Sequence, residues 1–152
     1  MTIHELTEAE CLDVLSRATV GRLACAHDDQ PYVVPISLYF DGTAGVYSVS
    51  RVGQKVRWMR DNPKVCVEAD EITDRFHWTS VIVMGTYEEL TGAGGEANKL
   101  RQVMELLQQR SQFWLPATAD IEDQAGHSEV VIFRIRITAL SGRRTAHSGG
   151  MR

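Results

Sequence analysis

From Tyr32 to Phe40 the chain alternates strictly. Tyr32, Val34, Ile36, Leu38 and Phe40 fall on one side, and Val33, Pro35, Ser37 and Tyr39 on the other. A two-residue period belongs to an extended strand with one face against a core; on a helix the same five residues would scatter around the axis. Pro35 has no amide to give to a ladder, so this strand is expected at an edge or locally irregular there. The segment commits the chain to a sheet.

Neighbouring segments say what kind of sheet. Val20 to Ala26 reads as a strand, and His27-Asp28-Asp29-Gln30-Pro31 is turn chemistry leading into Tyr32. Asp41-Gly42-Thr43 turns the chain again, into a strand from Gly45 to Ser50. These three strands form a predicted antiparallel meander. Lys64 to Asp70, the Val- and Ile-rich run Trp78 to Leu90, and Val130 to Leu140 supply three more. In the last of these Val131, Phe133, Ile135 and Ile137 share a face, with Arg134 and Arg136 opposite.

Three short helices interrupt the strands. Thr7-Glu8-Ala9-Glu10 has capping-box spacing, which predicts a helix from Glu8 to about Arg17 with Leu12 and Leu15 inward. Gly53 to Asn62 is a second, with Val56 and Met59 on one side and Pro63 ending it. After Thr91-Gly92-Ala93-Gly94-Gly95, a third carries Leu100, Val103, Met104 and Leu107 at the three-four spacing. The expected fold is mainly β: a closed antiparallel barrel of six strands with flanking helices. At 152 residues there is room for one domain, placed at residues 1–144, with a flexible tail at 145–152. Ser111 to His127 shows no period, and a loop of that length in a small domain is usually functional or covered by a partner.

Composition removes several classes of function. A formal charge of -4 is the wrong sign for a nucleic-acid binder, and the apolar runs are too short to cross a bilayer. Cys11, Cys25 and Cys66 are odd in number and far apart, which fits a reducing compartment. The first residues lack the basic-then-apolar order of a signal peptide, so the cytoplasm is the expected location. The five histidines are scattered, and His-Glu-x-x-His and Cys-x-x-Cys are absent from the sequence, so no metal site is expected.

The segment with most chemistry is Ser48-Val49-Ser50-Arg51-Val52-Gly53-Gln54-Lys55, which leaves a strand and opens a helix. Hydroxyls, a glycine and two cations gather where unpaired amides and the helix dipole already favour an anion. Lysine in a first turn opposes that dipole by a few tenths of a kcal/mol, and a bound phosphate would reverse the sign. The alternative is a solvated basic turn. A second segment, His77-Trp78-Thr79-Ser80, sets an aromatic plate beside a histidine and two hydroxyls at a strand start. Ser37 and Ser80 are polar on strands otherwise given to core residues, so each needs a hydrogen-bond partner, from backbone or from a heteroaromatic ring.

Four stretches taken in order carry a family resemblance: Val20-Gly21-Arg22-Leu23-Ala24, Pro31-Tyr32-Val33-Val34-Pro35-Ile36-Ser37, Gly53-x-Lys55 with Asn62-Pro63-x-Val65, and Trp78-x-Ser80-Val81-x-Val83-x-Gly85. Together they resemble the pyridoxamine 5'-phosphate oxidase-like, FMN-binding split-barrel family, nearest its nitroimidazole-resistance-type branch. The resemblance implies a six-stranded split barrel that forms a homodimer, with FMN in grooves shared by the two subunits. It implies that Lys55 contacts the FMN phosphate with Ser50 and Arg51, that Val34, Pro35, Ile36 and Ser37 border the isoalloxazine, and that Trp78, Thr79 and Ser80 flank it. Other members of the wider family bind haem or a deazaflavin. This chain has Gly53-Gln54-Lys55 where true pyridoxamine phosphate oxidases carry Ser-Arg-Lys, and it ends in Ser141-Gly142-Arg143-Arg144 without their substrate motif. The expected function is therefore FMN-dependent reduction of a small electron-poor molecule, not vitamin B6 phosphate oxidation, with His77 the candidate proton donor. The alternative is a flavin- or haem-binding protein that senses or stores without turnover.

Overall fold

The computed structural model describes residues 1–93, 95–110 and 130–146. Eight strands and three helices run in the order β1 (Thr2–Glu5), α1 (Glu8–Arg17), β2 (Val20–His27), β3 (Gln30–Ser37), β4 (Tyr39–Phe40), β5 (Gly45–Arg51), α2 (Gln54–Asp61), β6 (Lys64–Asp74), β7 (His77–Leu90), α3 (Ala97–Arg110) and β8 (Val130–Ala146). All pairings are antiparallel, in the order β3-β2-β6-β7-β8-β5-β4, with β1 added to β8. Ser111 to His127 lies outside the described residues, as does the tail beyond Ala146.

The expected closed barrel is corrected to an open one. β3 ends one edge of the sheet and β4 the other, so the sheet is split where they face each other. The cause is local. The alternating run from Tyr32 to Phe40 is two strands: the fully buried Leu38 still gives its amide to the Thr19 carbonyl, 3.0 Å away in the β2–β3 register, and from Tyr39 the chain pairs with β5 instead. Pro35 does lie on an edge strand, opposite Arg22 of β2, where its missing amide costs nothing.

β8 is the spine of the molecule. Its first half pairs with β5 and β7, and its last residues pair with β7 and β1, so that Arg143 stands opposite both Ser80 and Glu5. Thr145 and Ala146, assigned to the tail from sequence, are strand residues; Thr145 is buried and accepts the Trp78 amide at 3.0 Å.

One face of the sheet closes over the main core. Leu23, Val67 and Val83 stand abreast on β2, β6 and β7 with no exposed surface. Against them pack Val14 and Leu15 of α1, Val56 and Met59 of α2, and Phe133 and Ile135 of β8. Burying each such side chain stabilises the fold by about 1.5–3 kcal/mol. A smaller cluster lies under α3, where Val103 and Leu107 meet Tyr47, Leu90 and Ile132. The capping box of α1 is present, with Thr7 and Glu10 each accepting the other's amide.

Candidate functional site

α2 begins very differently from α1. Its cap, Gly53, gives no side-chain hydrogen bond, and its first turn holds no acidic residue. The amides at its start are therefore open donors at the positive end of the helix. A β-carbon on Gly53 would meet nothing within 4 Å, so the space over the helix start is clear.

Lys55 projects from that first turn. Burial pushes its ammonium below the ordinary lysine range, and the opposing influence is the Cys25 thiol of β2. Among the described residues no carboxylate pairs with it, although salt bridges bind the arginines at 17, 22, 60, 134, 136 and 144. A half-buried, unpaired ammonium beside open helix amides is a site for an anion bearing more than one charge.

The strand leading into α2 supplies the hydroxyls. Ser50 is buried and donates to the Arg51 carbonyl at 2.8 Å, while the Arg51 Nε is buried at the end of β5. Ser48 is buried too, and its hydroxyl crosses the split to the Ser37 carbonyl of β3, 2.5 Å away. Along β3, Val34 and Ile36 face inward, Ile36 within the core, while Pro35 and Ser37 face outward. Ile36 thus offers a ligand its backbone and not its side chain. β3 thus meets β5 across the split through Ser48, and meets α2 where Tyr32 lies edge-on to Trp58, ring centroids 5.6 Å apart.

His77, Trp78, Thr79 and Ser80 do not lie there. They start β7, which is separated from β3 by β2 and β6, about three inter-strand spacings of 4.8 Å. His77 sits on an exposed hairpin end, its Nδ1 2.8 Å from Asp74 Oδ1. Trp78 is held by its backbone to Thr145, and Ser80 donates to Glu68 Oε2 at 3.1 Å.

The outward face of β2, β6 and β7 carries features that sequence reading missed. Val33, Ala24, Cys66, Met84 and Ala139 form one row across five strands. Val33 is 62% exposed, Met84 53% and neighbouring Ile82 41%. A groove of about 580 Å³ runs there over Ala24, Ala26, Cys66 and Gly85, with Lys64 at its rim. Beside it Arg22 Nη1 lies 3.3 Å from Asp70 Oδ2 and 3.7 Å from Glu68 Oε1. Burial first, then Asp70, pushes the Glu68 carboxyl above the usual carboxylate range. The cross-strand row was implicit in the alternation of four strands, but only the register brings those residues abreast.

A split antiparallel barrel and a basic, uncapped helix start define the class of fold and site. The chain belongs to the family described as pyridoxamine 5'-phosphate oxidase, whose sequence pattern matches residues 7–144. An uncharacterised protein of Rhizobium meliloti (strain 1021) is 34% identical over 145 residues, covering 94% of this chain and 95% of its own length. A crystal structure of an FAD-binding protein from Mesorhizobium loti is 38% identical, covers 96% of this chain and 100% of that one, and superposes with a TM-score of 0.81. The FAD binding protein from Mycobacterium smegmatis shares the fold at a TM-score of 0.66 with 20% identity, over 94% of this chain and 100% of that one. Among the described residues no helix is long and apolar enough to cross a membrane.

Proposed function

We propose that the chain is a homodimeric flavoprotein that holds the flavin phosphate at the start of α2 and reduces a small electron-poor molecule. The single observation behind this reading is Lys55: half-buried, without a carboxylate partner among the described residues, and set in an uncapped first turn. The residues fit the group. A phosphate dianion would take the Lys55 ammonium and the free α2 amides together, and the clear space over Gly53 admits it. The flavin, once bound, supplies the redox chemistry, and the protein's part is to bind, orient and shape the space above the ring.

In this reading Ser50 and Arg51 complete the phosphate cradle, and the backbone of Val34 to Ser37 borders the ring. Trp78, Thr79 and Ser80 lie too far along the sheet to flank that ring within one chain, which supports their delivery by a second copy. The exposed row through Val33, Cys66 and Met84 is a surface that such a copy would cover. His77, held through Nδ1 by Asp74, is the proton donor in this reading, for a substrate held near the hairpin. The location in this reading is the cytoplasm, where the three free thiols stay reduced.

FMN is the flavin that the family resemblance implies; FAD is the second reading, favoured by the 38% identical protein from Mesorhizobium loti that is named for it. One experiment separates the cases. The visible spectrum of the purified protein is recorded, and the apoprotein is titrated with FMN, FAD, riboflavin and haem. Tight FMN or FAD binding with riboflavin at least tenfold weaker supports the phosphate site. A colourless protein that takes up none of them overturns the reading, and a haem spectrum alone redirects it. Anaerobic addition of a dihydronicotinamide then tests turnover: a flavin that no donor bleaches makes the protein a binding module.

A further inference from the structure

Ser80 and Glu68 face outward from neighbouring strands. The register sets Asp70 opposite Ser80 and Glu68 opposite Ile82, so Glu68 is the diagonal neighbour of Ser80 on one face. The Ser80 hydroxyl donates to Glu68 Oε2 at 3.1 Å. The other carboxylate oxygen, Oε1, lies 3.7 Å from Arg22 Nη1, and that nitrogen is 3.3 Å from Asp70 Oδ2. Arg22, Glu68 and Ser80 thus form a chain across β2, β6 and β7 with each member held by the next. Glu68 is half-buried, with 31% of its side-chain surface exposed, and Asp70 has 19%.

A serine hydroxyl carries one proton and two lone pairs. Here the proton is committed to a carboxylate, a charge-assisted bond stronger than a neutral one. What remains toward solvent is acceptor capacity only. Left to itself, a strand serine would rotate its hydroxyl to donate or accept as the ligand required; Glu68 removes that choice. The edge of an isoalloxazine offers carbonyl acceptors and ring N–H donors, and a fixed acceptor distinguishes between them.

We propose that Glu68 is a positioning residue that locks Ser80 as a hydrogen-bond acceptor for a ring N–H of the flavin held by a second copy of the chain, with Arg22 holding the carboxylate in place. The inference rests on the flavin reading above and adds the direction of the hydrogen bond and the residue that sets it. Glu68 touches Ser80 and not the ring.

The test is a double-mutant cycle on FMN affinity at pH 8, in the full-length dimer, with Ser80→Ala, Glu68→Gln and the pair combined. The substitution Glu68→Gln keeps the shape; with its amide oxygen toward the donors of Arg22, its NH2 faces Ser80, which frees the hydroxyl proton and reverses its polarity. Each single variant is expected to weaken FMN about three- to tenfold, the range for one net hydrogen bond, and the double variant no more than either alone. In the second readout, the N3–H resonance of bound 15N-labelled FMN shifts in both single variants by comparable amounts. A merely structural role for Glu68 would lower melting temperature and leave that resonance where it is. Additive losses, or an unmoved N3–H signal in Glu68→Gln, overturn the proposal. Should Glu68→Gln not fold, Glu68→Asp draws the carboxylate back from Ser80 and is held to the same outcomes. If the unmutated protein binds no FMN or FAD, the flavin reading itself has failed, and that is seen before any variant is made.

Discussion

The Ser48 hydroxyl reaches across the split of the barrel to the carbonyl of Ser37, 2.5 Å away. It is a side-chain bond doing locally what the missing ladder between β3 and β5 would do. Ser48 is 1% exposed, so Ser48→Ala removes the donor and leaves the Ser37 carbonyl without it in a dry setting. The expected loss is about 1–2 kcal/mol of stability by chemical denaturation. Because Ser37 lies on the proposed ring border, flavin affinity falls as well. A variant of unchanged stability and affinity would show that the split is held without Ser48.

Gly85 is required by a close approach of two strands. A β-carbon there would stand 2.5 Å from Ile135 Cγ2 and 2.6 Å from the Arg136 carbonyl oxygen. The crowding follows the register shift between Met84 and Gly85, where Thr138 is the extra residue of β8 and donates to the Met84 carbonyl at 3.0 Å. Since one of the clashing atoms is backbone, Gly85→Ala must pry β7 from the spine strand. The expected destabilisation is about 2–3 kcal/mol, read as a fall in melting temperature of about 5–10 °C.

The outward row offers a test of association. Met84 is 53% exposed and sits amid Cys66, Ala24 and Val33, so Met84→Glu costs the single chain little but places a charge in the centre of the surface a second copy would cover. In sedimentation the unmutated protein is expected at twice the 17.0 kDa chain mass and the variant at that mass, with flavin lost alongside. An unmutated protein that runs as a monomer with flavin bound would contradict the shared site.

Elements written in short-range grammar were legible. α1 was readable because Thr7 and Glu10 satisfy each other's amides three residues apart, and Lys55 because a helix start needs only its own neighbours to be recognised. β1 was not: all four of its residues are exposed, and it exists through backbone pairing to β8, which leaves no apolar period. The end of β8 was hidden for the same reason, since Arg143 and Arg144 are charged yet sit between β1 and β7, paired on both sides. The break at Leu38 was invisible because the side chains go on alternating while the backbone passes from pairing with β2 to pairing with β5, and side-chain alternation reports only the side chain. The bond from Ser80 to Glu68 was not legible because it crosses a hairpin, twelve residues away.

Lys55 gives the phosphate site a pH signature whose sign is fixed by its burial. Its pKa lies below the ordinary lysine value in the folded protein, so the free site loses its proton earlier on the alkaline side than a solvated lysine would. A bound phosphate dianion favours the charged form and raises that pKa. FMN affinity is therefore level below the pKa of the free site, falls as pH rises through it, and levels again above the pKa of the complex. Riboflavin, lacking the phosphate, shows no such fall. Lys55→Ala weakens FMN by about 1.5–3 kcal/mol at neutral pH and flattens the profile. The same sign applies to stability without ligand. The unfolded chain holds the proton more tightly than the folded one, so folding carries a penalty below the folded pKa that disappears as pH rises toward the unfolded value. Lys55→Met should accordingly raise the melting temperature of the flavin-free protein at pH 7 while lowering flavin affinity. Stability and affinity falling together would mean that the ammonium is part of the fold and not held for an anion.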